Sequence, residues 1–333
     1  MKILIIGGTR NMGYFLAEQL HASGHAITLL NRGVTQDNLP KDIARLRADR
    51  TDIKQVRRAL GGRQFDAVVD MVVFRQQEAE DIINVLDGQT GHYIFFSTGQ
   101  VYLVREGIQR PYTETDYHGD IMRQPDPNTY DYEEWLYGVE KRSAEAAYVE
   151  AFERNGFPYT SLRMPMVNSE RDGFKRLYSY VLRIKDGGPV LVPDAPRYPV
   201  RNVYAGDVVN AVQHIVENKL GIGKAYNLSD DQAVSLTELL NILGEIIGIE
   251  PDIKFVERDL LMANGFLPDC SPFSDYWMSE LDNSLGKAEL GISYTPLRQY
   301  LEKILAYYDK HPPEKPTSYR RRHAEKNLLI DVE

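Results

Sequence analysis

Two groups of residues in this sequence have types and spacings suited to chemistry. The first is Gly7-Gly8-Thr9-Arg10-Asn11-Met12-Gly13, which follows the apolar run Lys2 to Ile6. Gly7 permits a turn that L-residues resist, Gly8 allows close backbone approach, and Gly13 lets a following helix sit against a sheet. The amide donors at such a helix start suit a pyrophosphate. The second group is Tyr137-Gly138-Val139-Glu140-Lys141. Tyrosine and lysine at i and i+4 share one helix face. A free phenol ionises near ~10, too high for a base at neutral pH, but an adjacent ammonium and an oxidised nicotinamide both favour the phenolate. Tyr137 could then exchange a proton with an alcohol or carbonyl while hydride moves to or from a dinucleotide cofactor. Lys141 is expected to lower that pKa and to bond the nicotinamide ribose. A hydroxyl at the end of the run Tyr93 to Phe96, Thr98 or Ser97, is expected to orient the substrate oxygen. A Tyr-x-x-x-Lys spacing alone is common in a helix rich in both residues. Its weight comes from standing downstream of the glycine loop and of a hydroxyl-bearing strand end.

The elements that must position these groups follow from periodicity. Lys2–Ile6 and Ala26–Leu30 read as strands, with a helix between them that stops at Gly24. Arg45–Asp49, Ala67–Val72 and Tyr93–Ser97 read as further strands. Ile53–Leu60 and Gln76–Leu86 read as helices, and a long helix opens at Tyr137 and ends at Gly156. Strands alternating with helices imply right-handed crossovers, an α/β fold and a doubly wound parallel sheet of the Rossmann kind. Ligands in such sheets bind beyond the carboxyl ends of the strands. That aligns Gly7, Asn31, Asp49 with Arg50, Met71 with Val72, and Thr98 along one edge as cofactor-lining positions. An acidic residue usually stands at the end of the second strand to bond the adenosine ribose. Here Asn31 stands there, Arg32 follows, and Arg10 lies inside the loop, so NADP(H) is favoured with NAD(H) as the alternative. Asp49 could accept a hydrogen bond from adenine or serve as a helix-capping carboxylate.

Composition narrows the class. The 333 residues include 39 basic and 48 acidic side chains, a net charge of −9, which disfavours nucleic-acid and anionic-membrane partners. One cysteine, Cys270, excludes an intramolecular disulfide, and the seven histidines lack ligand spacing, so no metal is expected. With no signal segment or long apolar run, the expectation is a cytoplasmic protein. The tyrosine-, acid- and proline-rich stretch between Pro111 and Tyr137 is read as a lid or substrate wall, or else as a packed surface loop. Tyr276-Trp277-Met278 is read as core, and Tyr319-Arg320-Arg321-Arg322-His323 as a solvated or subunit-facing run after a proline-rich linker.

Taken together, these motifs resemble the short-chain dehydrogenase/reductase superfamily, in its extended, sugar-nucleotide epimerase/dehydratase-like branch, over most of the chain. Ser97-Thr98-Gly99-Gln100-Val101-Tyr102 is similar to the serine-rich segment ending in Val-Tyr, which gives Thr98 the catalytic hydroxyl beside Tyr137 and Lys141. Leu162-Arg163-Met164-Pro165 resembles the strand after the catalytic helix, whose following loop lines cofactor and substrate. Val203–Val208 resembles the segment that re-enters the nucleotide lobe, and Leu281–Gly291 the C-terminal signature. The resemblance implies cofactor contacts from Ser97, Tyr137, Lys141 and Met164, and substrate contacts from Thr98, Gly99, Gln100, Asn168 and Arg201. It implies a nucleotide lobe of residues 1–165 plus about 199–229, a smaller substrate lobe of about 166–198 plus 230–312, a tail of 313–333, and a homodimer acting on a small-molecule substrate. Gly-Gly-Thr-Arg with Asn-Arg-Gly further resembles an offshoot holding reductase/epimerase-like proteins and chloroplast RNA-binding relatives. Two departures stand out. Arg10 replaces the middle glycine of the extended-family loop, and the arginine that grips a sugar-nucleotide pyrophosphate has no aligned counterpart, Arg201 being one residue out and Arg197 further upstream. The implied activity is oxidation, reduction or epimerisation at a secondary alcohol/carbonyl of a sugar or nucleotide sugar. The alternatives are an NADPH-dependent reductase of a non-sugar carbonyl, and a non-catalytic cofactor-sensing or RNA-binding protein.

Overall fold

The computed structural model describes residues 1–194, 197–274 and 276–328. Its first half alternates β1 (Lys2–Ile6), α1 (Asn11–Ala22), β2 (Ala26–Asn31), β3 (Ala44–Arg47), α2 (Ile53–Leu60), β4 (Ala67–Asp70), α3 (Gln76–Leu86) and β5 (Tyr93–Phe96). A short α4 (Gln100–Leu103), the long α5 (Tyr130–Asn155), β6 (Tyr159–Arg163) and β7 (Val167–Asn168) follow. Next come α6 (Arg176–Lys185), β8 (Val190–Pro193), β9 (Val203–Tyr204), α7 (Ala205–Asn218), β10 (Lys224–Asn227), α8 (Leu236–Ile247) and β11 (Ile253–Val256).

Seven strands form one sheet in the order β10-β6-β5-β4-β1-β2-β3, and every pairing in it is parallel. The doubly wound α/β class expected from the alternation is therefore present. Parallel strands covered on both faces need continuous apolar runs, and β4 and β5 are buried at every residue. On one face α1 and α7 pack Leu16, Leu20, Val208, Val212 and Ile215 against Ile3, Ile5 and Val69. On the other, α2, α3 and α5 pack Val56, Ile82, Ala144 and Tyr148 against Leu4, Val68 and Phe95. The winding reverses between β1 and β4, which opens a crevice at their carboxyl ends.

The second lobe is built from α6, α8, the Leu297–Lys310 helix and the parallel pair β8–β11, around Tyr180, Leu240, Phe273 and Ile304. α8 begins with a reciprocal cap between Ser235 and Glu238. Leu290 and Ile292 join the core of the first lobe, next to Tyr226 and Leu228, although the sequence places them within the second.

Two readings change here. α5 starts at Tyr130, not Tyr137, because the Thr129 side chain accepts from the Tyr132 amide and Asp131 and Glu133 favour the helix N-terminus. The basic run near the C-terminus is not simply solvated. Arg322 is buried and its guanidinium donates to both carboxylate oxygens of Asp186 at 2.8 and 2.9 Å. The short helix Arg322–Leu328 also sends buried Glu325 to Arg183, which is fully buried, at 2.5 Å. Cys270 is buried nearby, and Trp277 and Met278 are core as expected.

Candidate active site

The glycine loop occupies the crevice beside β1. Gly7 and Gly8 adopt φ of 102° and 80°, the left-handed region that a side chain resists. A Cβ on Gly13 would lie 2.6 Å from the Gly8 Cα and 2.9 Å from the Met71 sulfur, so α1 can close on the loop only with glycine there. Val72 lies beneath Gly7. No side chain caps the first turn of α1, which leaves its amides turned to the crevice. The Asn11 Oδ1 is buried without a protein partner at a residue held at φ 45°. A cradle closed to Cβ atoms, with an uncapped helix start and an orphaned polar atom, fits a dinucleotide pyrophosphate. Thr9 and Met12 are half-buried in the same turn.

At the end of β2, the Asn31 side chain bridges the two turns. Its Nδ2 donates to the Gly7 carbonyl at 3.4 Å and its Oδ1 accepts from the Gly33 amide at 2.9 Å. Arg10 and Arg32 are exposed there, with Arg10 Nε donating to Thr35. Arg47, exposed at the end of β3, lies across Gly33, its Nε 2.9 Å from where a Cβ would be. Asp49 accepts from the Thr51 amide and hydroxyl, which hold its carboxyl below the usual range, and Arg32 adds to that. Arg50, expected to line the cofactor, turns inward instead. It is buried and donates to Asp70 at 3.3 Å and to the Glu78 carbonyl at 2.9 Å, because the carboxylate at the end of β4 needs a cation.

Beside α5, Thr98 is half-buried while its neighbours from His92 to Val104 are buried, so it alone of that stretch reaches the cleft. Its hydroxyl hydrogen-bonds Tyr137 and accepts from the Gln100 amide at 3.2 Å. Ser97 does not share this role. Its hydroxyl donates to buried Glu145, which is paired with Arg163 at 2.6 Å, so it belongs to the core. Met164 is buried, and its carbonyl accepts from the Gly99 amide at 2.7 Å, pinning the strand end that carries Thr98. α5 can approach only because Gly138 lacks a side chain; a Cβ there would lie 2.8 Å from the Gln100 carbonyl oxygen. That glycine, inside the Tyr-x-x-x-Lys motif, is what brings Tyr137 to Thr98.

Lys141 is buried. Its ammonium donates to the carbonyls of Val73 at 2.6 Å and Phe96 at 2.8 Å, and lies 4.8 Å from the ring centres of Phe74 and Phe95. Burial lowers its pKa to about 8, opposed by the carboxylates of Asp70, Glu145 and Glu78. Tyr137 moves the other way. Burial raises its phenol, the Thr98 hydroxyl partly offsets this, and the Glu134 carboxylate adds to the rise. The lowering by Lys141 expected from spacing is thus not the dominant influence on Tyr137 in this arrangement, in which the ammonium is held by carbonyls.

Of the expected substrate contacts, Gln100 is buried and donates to Glu134 at 2.7 Å, and Gly99 lies under Ser279. Asn168 is buried and donates to the Tyr300 hydroxyl at 3.3 Å, whose own proton goes to Asp230. Arg201 Nε donates to the Asp230 carbonyl at 2.8 Å. Asn168 and the Nε of Arg201 are therefore engaged with the framework between the lobes. The stretch after Pro111 is partly framework too. Tyr112 is buried, Asn227 N donates to Glu114 at 2.7 Å, and Tyr117 stacks under Arg142 and Arg163. Sequence reasoning passed over Glu134, Gly138, Arg47 and Phe74. Glu134 shares the helix face of Tyr137 and would have been found had the helix been extended back to Thr129.

Among the described residues there is no cluster of three or more histidine, cysteine or acidic side chains able to hold a metal, and no helix long and apolar enough to cross a membrane. Comparison with known proteins identifies the family. A protein-family model, the NAD dependent epimerase/dehydratase family, matches residues 3–229. The chain is 25% identical over 269 residues to the chloroplast stem-loop binding protein of 41 kDa b of Arabidopsis thaliana, a match covering 76% of this chain and 65% of that protein. It thus spans somewhat less than two thirds of that relative. A match of 71 residues at 28% identity, 21% of this chain and 20% of the other, joins it to the 2'-dehydrokanamycin reductase of Streptomyces kanamyceticus. Among solved structures, the UDP-glucose 4-epimerase of Thermotoga maritima with UDP-glucose superposes with a TM-score of 0.73 at 20% identity, covering 94% of this chain and 100% of that one. The Bordetella bronchiseptica enzyme WbmG in complex with NAD superposes with a TM-score of 0.71 at 18% identity, covering 93% and 94%. With its parallel Rossmann sheet and glycine-lined crevice, the chain belongs to the NAD dependent epimerase/dehydratase family.

Proposed function

We propose that this protein oxidises, reduces or epimerises a secondary alcohol/carbonyl pair on a sugar or nucleotide sugar, with Tyr137 as the proton-transferring group. The observation that carries this reading is the hydrogen bond between Thr98 and Tyr137 at the carboxyl edge of the sheet, one helical turn from Lys141. A bound nicotinamide cofactor supplies acceptance and return of hydride. The chain's own part is to hold the substrate oxygen and move its proton. The Thr98 hydroxyl donates toward Tyr137, which stabilises the phenolate, and the phenolate oxygen takes the proton of a substrate alcohol or returns it to a carbonyl. Lys141 keeps a positive charge below pH ~8 and stiffens the helix against the ends of β4 and β5 through the Val73 and Phe96 carbonyls. The Gly7–Gly13 turn and the start of α1 bind the pyrophosphate, with Met71 and Val72 closing the crevice. The UDP-glucose in the Thermotoga maritima structure supports a sugar substrate.

The cofactor we propose is NADP(H), on the three guanidinium groups of Arg10, Arg32 and Arg47 around the Gly33 turn, where a ribose 2′-phosphate would stand. NAD, named with the WbmG structure, is the alternative. The rate effect is tested with Tyr137→Phe on a panel of sugar and nucleotide-sugar carbonyls and alcohols. Turnover is expected to fall by about 10²–10⁴-fold, while cofactor affinity stays within about tenfold, since the phenol hydroxyl adds only a hydrogen bond there. Full turnover in the phenylalanine variant would remove Tyr137 from the chemistry.

A further inference from the structure

We infer that Arg171, carried by the loop between β7 and α6, reaches the start of α1 and grips the pyrophosphate of the dinucleotide there, so that the cofactor is held from the second lobe as well as from the first. The inference deepens the reading of the glycine crevice given above and rests on it.

Its surroundings single this arginine out. Arg105, Arg142, Arg163, Arg183 and Arg322 are buried or half-buried, and each donates to a carbonyl or a carboxylate. Arg171 is half-buried as well, yet among the described residues its guanidinium has no hydrogen-bond acceptor and no ion-pair partner. It lies over the ring of Tyr14 instead, 3.8 Å from the ring centre. A contact between a cation and a ring face consumes no N–H group, so the donors of the fork are placed but unspent. Asp37 does not use them. Its carboxyl is held low first by Arg45, which donates to both oxygens at 2.8 and 2.9 Å, and last by the more distant charge of Arg171.

The ring beneath the guanidinium belongs to the anion-binding end of α1. Tyr14 follows Gly13, and its amide donates to the Arg10 carbonyl at 3.3 Å, closing the first turn. Consecutive residues stand about 100° apart around a helix. Gly13 faces the Gly8 turn, so Tyr14 brings Arg171 to the uncapped helix start from a different side. Free amides and a fixed guanidinium at one helix end suit the oxygens of a phosphate group.

The loop holds Arg171 in place on both sides. Ser169 Oγ accepts from the Arg171 amide at 3.0 Å, and the Tyr204 hydroxyl donates to Glu170 at 2.5 Å. The Asp172 carboxylate accepts from the Phe174 and Arg176 amides at 3.0 and 3.1 Å. Little ordering is then left for the binding step. The same loop leads into α6, whose Tyr180 and Ile184 lie in the core of the second lobe, so cofactor release requires a contact with that lobe to break.

The test measures dissociation constants of NADPH and NADH by fluorescence titration of the full chain, for the wild type, Arg171→Met, Arg171→Lys and Tyr14→Leu. R171M keeps an apolar side chain over Tyr14 and is expected to weaken both cofactors alike, each by at least about tenfold, with their ratio unchanged within about twofold. R171K keeps the charge without the paired donors and is expected to fall between R171M and the wild type. Y14L, which removes the ring and leaves the guanidinium, is expected to cost each cofactor less than R171M does. Unchanged affinity of R171M for both cofactors overturns the inference. So does a loss confined to NADPH, which would assign Arg171 to the ribose 2′-phosphate. A loss in Y14L as large as that in R171M also overturns it, since the stacking contact would then be the cause. A wild type that binds neither cofactor contradicts the nicotinamide-dependent reading and this inference with it, whereas a wild type that binds both, with no response to R171M, contradicts this inference alone.

Discussion

The two lobes use their polar residues in opposite ways. Along the carboxyl edge of the sheet, Gly7, Asn31, Thr98 and Tyr137 stand where strand ends and helix faces put them, and they open onto the crevice. In the second lobe and its seam with the first, polar side chains turn inward. Arg183 is fully buried against Glu325, Asp230 is buried against Tyr300, and Asn168 is buried beside them. A parallel sheet with short crossovers exposes its chemistry by topology, whereas a lobe assembled from distant segments needs buried polar links to fix their relative position. A polar residue in the second lobe is for that reason a poor guide to a binding role.

The sharpest way to break this contrast is Glu325→Ala. It leaves Arg183 buried without its carboxylate and is expected to cost about 3–5 kcal/mol in urea denaturation. Glu302→Ala, which removes an exposed partner of Arg298, is expected to change stability by less than about 0.5 kcal/mol. Equal effects would mean that the C-terminal helix is no part of the fold.

Asp230 sharpens the same point through pH. Burial raises its carboxyl to about 8 from an ordinary 3.8. Between those values the folded chain holds a proton that the unfolded chain releases, so stability falls as pH rises, by up to about 1.4 kcal/mol per pH unit. Asp230→Asn removes that slope, and denaturation at pH 5 and pH 8 should find the variant gaining on the wild type at the higher pH. A constant difference between them would show that Asp230 is ionised throughout.

A smaller effect is expected at the carboxyl edge of the sheet, where catalysis is proposed. Lys141 loses its charge above about pH 8, so turnover that depends on the ammonium should decline there, and Lys141→Arg should extend the alkaline limb. A rate that climbs steadily to pH 10 in the wild type would leave Tyr137 as the only titrating group.

How much of this was legible in the sequence follows from the same contrast. The helices Ile53–Leu60 and Gln76–Leu86 lie where periodicity predicts, since their signals are local. The start of α5 was missed because Thr129 follows a proline- and acid-rich loop that masks its capping role. Thr98 and Ser97 could not be separated by spacing; the inward turn of Ser97 depends on Glu145, more than forty residues away. Arg50 looks like a cofactor residue because it follows the right strand, but its partner Asp70 ends β4, which lies beyond β1 and β2 in the sheet. The tail reads as solvated because its partners, Asp186 and Arg183, are more than a hundred residues upstream.

The most direct measurement of the central claim, a nicotinamide dinucleotide held at the Gly7–Gly13 turn, is a fluorescence titration of NADPH and NADH against the wild type and Arg32→Ala. The account predicts saturable binding of both cofactors, NADPH at least about tenfold more tightly, with the preference falling to near parity in the variant. Tighter binding of NADH, unchanged by the arginine substitution, would contradict the assignment of Arg10, Arg32 and Arg47 to a 2′-phosphate. Binding of neither would contradict the claim itself.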